Sequence, residues 1–414
     1  MKILWLSHLV PYPPKAGVLL RAHHLVNELA KHHEVHLIAF NQKTLMEPYF
    51  DSYEQGTQVA YQKMREVCKR VHFVDSPMDK STLSKPLCAL LSLVSKYPYN
   101  INWLNSPAYG QIVKQWHSEE SYDLIHCDTI SLAPFVEDIN DCLLSLDHHN
   151  VESHMLIRRS ELDKNLLKKA YFWQEGKRVE SYEKKVCPQF DTNLTCSELD
   201  AIRFKEICPN ANFEEIPNGV DVNAFIPAQI EPKTASLIFI GTLDWYPNTR
   251  AVRYIANNIW PKLKEQIPDI EINIIGAGAP SDLVKLSETE QNFNVLGFVD
   301  DLKPYLDNAT AYICPIDDGG GTKLKLLDAF ASGKAVVAHK VACEGLRVED
   351  GKQVLIANDP DTYIEQIKLI MYNQELRKEL EINARIHAEN HFAFSSIGKQ
   401  LAAHFSALRK ASTR

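Results

Sequence analysis

No uncharged apolar run among the 414 residues approaches the roughly 18 needed to cross a membrane. The opening Lys2-Ile-Leu-Trp-Leu-Ser7 is too short an apolar core for a secretory leader and runs into a polar, Pro-rich loop. The expected setting is therefore cytoplasmic, with peripheral contact on the inner face of a membrane kept as the alternative. Neither a Cys-x-x-Cys pair nor a Cys/His cluster at zinc spacing occurs, and the cysteine count, nine, is odd. That favours reduced thiols over a disulfide framework, and no structural metal is expected. Positive charge is in deficit too: 45 Lys and Arg against 53 Asp and Glu leave a formal -8, which gives nucleic acid no general attraction. No repeat at solenoid spacing and no low-complexity tract interrupts the chain.

What remains is an ordinary globular composition, 45% hydrophobic and 24% charged, at a length that favours two domains of roughly 100–200 residues each. Ile3–Leu6 reads as strand, His8–Gly17 as a Pro-rich loop, Leu19–Lys31 as an amphipathic helix and Val35–Phe40 as strand, which makes a βαβ unit. The loop leaves the carboxyl end of the first strand, where open α/β sheets bind ligands, so Gly17 and Arg21 are candidates for contacting an anion or substrate. A loop-ending glycine and a surface arginine would account for the same residues. Strand signals return at Leu124–His126, Leu143–Leu146 and Thr192–Thr195, the second followed by Asp147-His-His-Asn-Val-Glu152. Between 45 and 120 only helical stretches stand out, at Gln58–Arg70, Leu87–Val94 and Tyr109–Trp116. Leu87, Leu90, Leu91 and Val94 share one helical face, which suits a core or a membrane contact.

Pro227 to Pro232 carries no periodicity and separates this half from a cleaner alternation of strands and helices between Leu237 and Ala338. That alternation implies a parallel sheet covered on both faces. Gly241, Gly276, Gly278 and Gly297 fall at or near the carboxyl ends of its strands, as for a ligand lying across one rim. The densest signal is Ile313-Cys-Pro-Ile-Asp-Asp-Gly-Gly-Gly-Thr-Lys-Leu-Lys-Leu-Leu-Asp-Ala-Phe330. Backbone amides of Gly319, Gly320 and Gly321, between a strand and a helix, can converge on an anion with the helix dipole behind them. Thr322 suits the N-cap. Lys323 and Lys325 then fall in the first turn, where a cation opposes the dipole by ~0.3–1 kcal/mol and a bound anion would compensate. A flexible glycine loop with solvated lysines fits the run by itself.

Taken in order, the Pro-rich loop to Gly17 and Arg21, Asp147–Glu152, Ile216-Pro-Asn-Gly-Val-Asp221, Ile240-Gly-Thr-Leu-Asp-Trp-Tyr-Pro-Asn248 and the glycine-lysine stretch ending at Asp328 resemble the retaining, metal-independent GT-B glycosyltransferases of family 4. The resemblance implies an α/β chain with two Rossmann-like, doubly wound parallel-sheet domains facing a cleft. Residues 1–228 would form an acceptor domain, 229–391 a nucleotide-sugar domain, and 392–414 a terminal helix crossing back to the first. It further implies that Gly319–Thr322, Lys323 and Lys325 hold the donor diphosphate, Lys325 assisting its departure, and that Asp328 takes the ribose hydroxyls. Gly241, Gly276, Gly278, Gly297 and Phe298 would complete the donor rim. His149 would face the transferred sugar, with His148 its competitor, and Gly17, Arg21 and His148 would meet a glycan or lipid-linked acceptor. No cofactor beyond the nucleotide-sugar substrate is implied.

Two departures from the family pattern stand out. Its usual pair of glutamates would fall on Gly320 and Asp328, and its arginine and lysine after the second domain's first glycine would fall on Thr242 and Asn248. A sugar epimerase or phosphorylase of the same fold, or a non-catalytic nucleotide-sugar-binding partner, is the alternative reading. Asp317-Asp318 is the alternative site for a magnesium ion.

Overall fold

Lys2–Ser7 (β1) is buried from Ile3 onward and Glu34–Asn41 (β2) from Val35 onward. Continuous apolar runs of this kind are sheltered only in a sheet covered on both faces. Arg70–Asp75 (β3), Leu124–Cys127 (β4), Leu143–His148 (β5), Thr192–Thr195 (β6) and Phe213–Glu215 (β7) join them in a parallel sheet of order β3-β2-β1-β4-β5-β6-β7. A second parallel sheet contains Ser236–Ile240 (β8), Glu271–Ile275 (β9), Phe293–Gly297 (β10), Ala311–Cys314 (β11), Ala335–Ala338 (β12) and Leu355–Ile356 (β13), in the order β10-β9-β8-β11-β12-β13. β3, β7 and β13 are three of the four edge strands. Partial burial gives them little of the apolar signal that marks the central strands.

The computed structural model describes residues 1–14, 17–79, 81, 83–232, 235–318 and 322–412. The chain forms two compact units, Met1–Pro217 with Ile397–Arg414, and Asn218–Ser396. The first division precedes the Pro227–Pro232 stretch because Val220 bridges to Ala393 and Arg385 donates to the carbonyls of Val222 and Phe225. Those contacts tie 218–228, assigned above to the first domain, to the second unit. The terminal helix Phe394–Ser412 sends Ile397, Leu401 and Phe405 into the core that Ile3, Leu25 and Leu37 occupy in the first unit.

Serine and aspartate caps define helix starts at Ser52, Ser106, Ser197 and Asp359, each side chain accepting a backbone N–H three residues on. The expected single helix Arg250–Leu263 is divided instead. Tyr246–Tyr254 passes through a π-helical turn, Ile255–Ile259, into Trp260–Gln266. Pro261 has no N–H to continue the regular ladder there.

Candidate active site

In a doubly wound sheet the strand order reverses at one place, where loops leaving the carboxyl ends part and open a crevice. The reversal lies between β1 and β4 in the first sheet and between β8 and β11 in the second.

At the first reversal, Ser7 ends β1 and Asp128 follows β4. The Ser7 hydroxyl donates to Asp128 Oδ2 at 2.6 Å, the His8 N–H donates to Oδ1 at 2.9 Å, and His8 Nδ1 lies 2.8 Å from the same oxygen. Burial alone would raise the Asp128 pKa, but the His8 ring and these hydrogen bonds hold it below the usual range. One strand further along, Asp147 accepts Arg21 Nε at 2.7 Å and Nη2 at 2.9 Å. Arg21 Nη1 donates to the Pro217 carbonyl at 2.9 Å. Both charged residues are 1% exposed. Against the penalty of burial, Arg21 pulls the Asp147 carboxyl down to about 2.

His149 sits beside this network, its ring 5.4 Å from that of His8. Its Nε2 is buried and has no hydrogen-bond partner, an uncommon state for a polar atom and one that a ligand hydroxyl would relieve. Burial pushes its pKa down to about 4, more than nearby Asp147 can restore, so the ring is neutral at pH 7. Glu152 opens the helix Glu152–Leu162 and accepts from Asn100 at 3.0 Å. Its burial raises the carboxyl to about 7.

Two residues expected to meet the acceptor, Arg21 and His148, are buried and paired within the first unit. Arg21 is enclosed in the unit, with its guanidinium held by Asp147 and Pro217 and not presented to solvent. His148 ends β5 pointing into the core, since neighbouring strand residues take opposite faces. Its Nε2 meets Asn193 Oδ1 at 3.1 Å, and its ring lies 4.3 Å from that of Phe204. Gly17 is the first residue of the helix Gly17–Ala30. Ser7, His8 and Asp128 were not among the sequence candidates. Their legible signal is position, as the first polar residues after two apolar strands of one sheet.

The second reversal is built differently. Gly241 follows β8, and its N–H donates to the Ile275 carbonyl at 2.9 Å. Gly276 has φ +156°, and a Cβ there would lie 1.9 Å from the Gly241 carbonyl oxygen, so no side chain fits between these strand ends. Gly278 lies beyond it, in the wall of an open depression with Leu243, Asp244, Thr249, Arg250 and Arg253. Gly297 ends β10, and the following Phe298 is 57% exposed.

Across the reversal from Gly241, Asp317 accepts Arg250 Nη2 at 2.7 Å. The helix runs Leu324–Ala331, and its N-cap is Lys323, one residue after the expected Thr322, with no side-chain cap bond. Thr322 is buried and Lys323 half-buried. Lys325 Nζ donates to Asp328 Oδ2 at 2.9 Å, one helical turn away. Two residues assigned to the donor thus hold each other, the lysine half-exposed and the aspartate buried. Gly319, Gly320 and Gly321 lie outside the described residues. Asn248, where the family pattern would place a cation, turns its amide back onto the Thr242 carbonyl at 2.9 Å. Arg250, half a turn on along the same helix, brings positive charge to the rim, a residue the sequence reading passed over.

Among the described residues, His117, Asp141 and Cys142 are the group whose potential metal ligands lie within 4.8 Å of one another. Asp141 and Cys142 precede β5, at the opposite end of the strand from His149.

Residues 234–373, most of the second unit, match the family described as glycosyl transferases group 1. The chain is 23% identical to an uncharacterized 44.6 kDa protein in the cps region of Klebsiella pneumoniae, over 96% of this chain and 99% of that one. It is 30% identical to the phosphatidyl-myo-inositol mannosyltransferase of Mycolicibacterium smegmatis over 39% of this chain and 44% of that enzyme. Among solved structures it resembles sucrose-phosphate synthase from Thermosynechococcus elongatus, with a TM-score of 0.72 at 14% identity over 99% and 100% of the two chains. Anabaena HepE in complex with UDP gives a TM-score of 0.64 at 15% identity over 98% and 100%. The fold is that of the GT-B enzymes, and with the group 1 domain it makes this chain a glycosyltransferase. No helix among the described residues is long and apolar enough to cross a membrane.

Proposed function

We propose that the chain moves a hexose-type sugar from a nucleoside diphosphate to a glycan or lipid-linked acceptor, with retention of the anomeric configuration, in polysaccharide assembly. The observation that carries the donor half is the second sheet's reversal, where Gly241 and Gly276 keep the strand ends bare and Arg250 pairs with Asp317 after β11, ahead of the helix that carries Lys325. Bare strand ends let a ligand approach the backbone, and cations there oppose the charge of a diphosphate. A relative with the same fold was solved with UDP, and others are named mannosyltransferases of phosphatidyl-myo-inositol, which supports a nucleotide donor and a lipid-linked acceptor.

In the reaction the bond between the anomeric carbon and the diphosphate oxygen breaks, and the acceptor oxygen takes that carbon. Positive charge develops on the sugar and negative charge on the leaving phosphate. Lys325 would release Asp328 to the ribose hydroxyls as it turns to the phosphate, and Arg250 would supply the charge that Thr242 and Asn248 cannot. The departing phosphate takes the acceptor proton on the face it leaves. In the first unit, His149 is neutral at pH 7 and its unpartnered Nε2 would hydrogen-bond a sugar hydroxyl.

A panel of nucleotide-sugars scored by thermal shift tests the donor, because a ligand that binds only the folded state stabilises it by RT ln(1 + [L]/Kd). One nucleotide should stand out, and NMR of the product should show the donor's anomeric configuration. A flat panel would overturn the donor half, and an inverted product the stereochemical half.

A further inference from the structure

The apolar face at Leu87–Val94 has no core to join. In and beside the helix Ser84–Ser92, Leu83 is 71% exposed, Leu90 64% and Val94 89%, with Leu87 and Leu91 also more than half exposed. Contiguous apolar exposure on this scale marks an interaction surface on a soluble protein. The opposite side of the segment is firmly held. Arg178 donates to the carbonyls of Ser92, Ser95 and Tyr97, and Glu175 accepts the Tyr99 N–H at 2.8 Å.

Arg178 and Glu175 belong to the helix Leu166–Val186, which packs with Glu152–Leu162 as a helical hairpin. Burial on the longer helix begins only at Glu175, so its first two turns stand clear of the core. Leu166 is 79% exposed and Leu167 84%, and Trp173 is more than half exposed. The Arg178 and Glu175 contacts set the longer helix against the first segment, so the two exposed groups lie on neighbouring elements.

Charge follows the same surface. No carboxylate occurs between Ser81 and Lys96, and between Arg158 and Lys169 there are five basic side chains against two acidic, in a chain of net -8. Lys164, Lys168 and Lys169 are exposed and make no ion pair among the described residues. We propose that the helix Ser84–Ser92 and the hairpin tip around Leu166 and Leu167 together dock on an anionic lipid bilayer. The leucines would enter the boundary between headgroups and acyl chains, the lysines would meet the headgroup charge, and Trp173 has the amphipathic ring suited to that depth. A second copy of the chain would set these lysines against their own kind, which favours lipid as the occupant. The proposal gives the lipid-linked acceptor a place to be met, and rests on the transferase reading for that purpose only.

Flotation of the full chain with phosphatidylcholine vesicles, with and without phosphatidylglycerol, tests it. The chain should float with the anionic vesicles, less so at high salt. Leu90→Glu/Leu167→Glu and Lys168→Glu/Lys169→Glu should each cut partition by about tenfold or more, circular dichroism and donor thermal shift remaining as in the parent. No flotation, or flotation equal in the parent and both variants, overturns the proposal. Concentration-dependent self-association abolished by the leucine variant, without vesicle binding, would overturn it in favour of a second copy. Nucleotide-sugar binding is read separately, so failure of the donor reading leaves the vesicle result standing.

Discussion

The two sheets reverse their strand order in the same way and fill the reversal with opposite materials. The first is packed with buried charge: Arg21 on Asp147, and Ser7 and His8 on Asp128. The second is cleared by glycine, its cations half-exposed and resting on carboxylates that a competing anion could displace. Charges buried in bidentate pairs fix the geometry of what surrounds them, whereas half-exposed pairs cost little to open. The first rim is therefore a rigid setting beside His149, and the second a bare one whose ion pairs open at little cost.

Arg21→Met should produce the largest effect. It leaves Asp147 buried without its partner, and should destabilise the first unit by ~3–5 kcal/mol in urea denaturation. A loss under ~1 kcal/mol would mean the rim is not built around that pair. On the second rim, Lys325→Ala should lower kcat/KM by ~2–4 kcal/mol of transition-state stabilisation while the melting temperature stays within a few degrees. Near-normal turnover would pass the phosphate role to Lys323 or Arg250.

His149→Ala separates turnover from binding. Turnover should fall by about 100-fold with nucleoside diphosphate affinity kept, and an equal loss of both would make the histidine structural.

Smaller still is the pH signature of the first unit. Burial pushes the pKa values of His126, His148 and His149 down to about 4, so the stability they permit is full above their ordinary value, 6.5, and is lost as pH falls towards 4. Burial raises Glu152 to about 7 and Glu183 to about 8, so stability falls as pH rises from their ordinary 4.5 through those values. The urea midpoint should peak near neutrality, and Glu183→Gln should flatten its alkaline side. An unchanged alkaline slope would show that Glu183 is not the group responsible. At the bottom of the scale, EDTA should leave turnover intact, because Arg250 already occupies Asp317, the carboxylate beside the expected phosphate. Loss of activity with rescue by a divalent cation would overturn that.

The sequence determined the parts whose physics is local. Apolar runs placed the central strands β1, β2, β8 and β11, because a strand buried on both faces admits little else. Glycines at strand ends marked the second rim, and the face Leu87–Val94 was visible as an apolar stripe. Tertiary structure decided everything that depends on pairing across distance. The stripe reads the same in a core or on a surface until its neighbours are known. Arg21 lies 126 residues from Asp147, and His8 lies 120 from Asp128. Nothing in the residues around Arg21 reveals that its charge is neutralised inside the unit, so it read as a free cation at a ligand's edge. His148 and His149 are identical in sequence terms, and only the strand's alternation, fixed once β5 had paired with β6, sent one into the core and left the other with an open nitrogen.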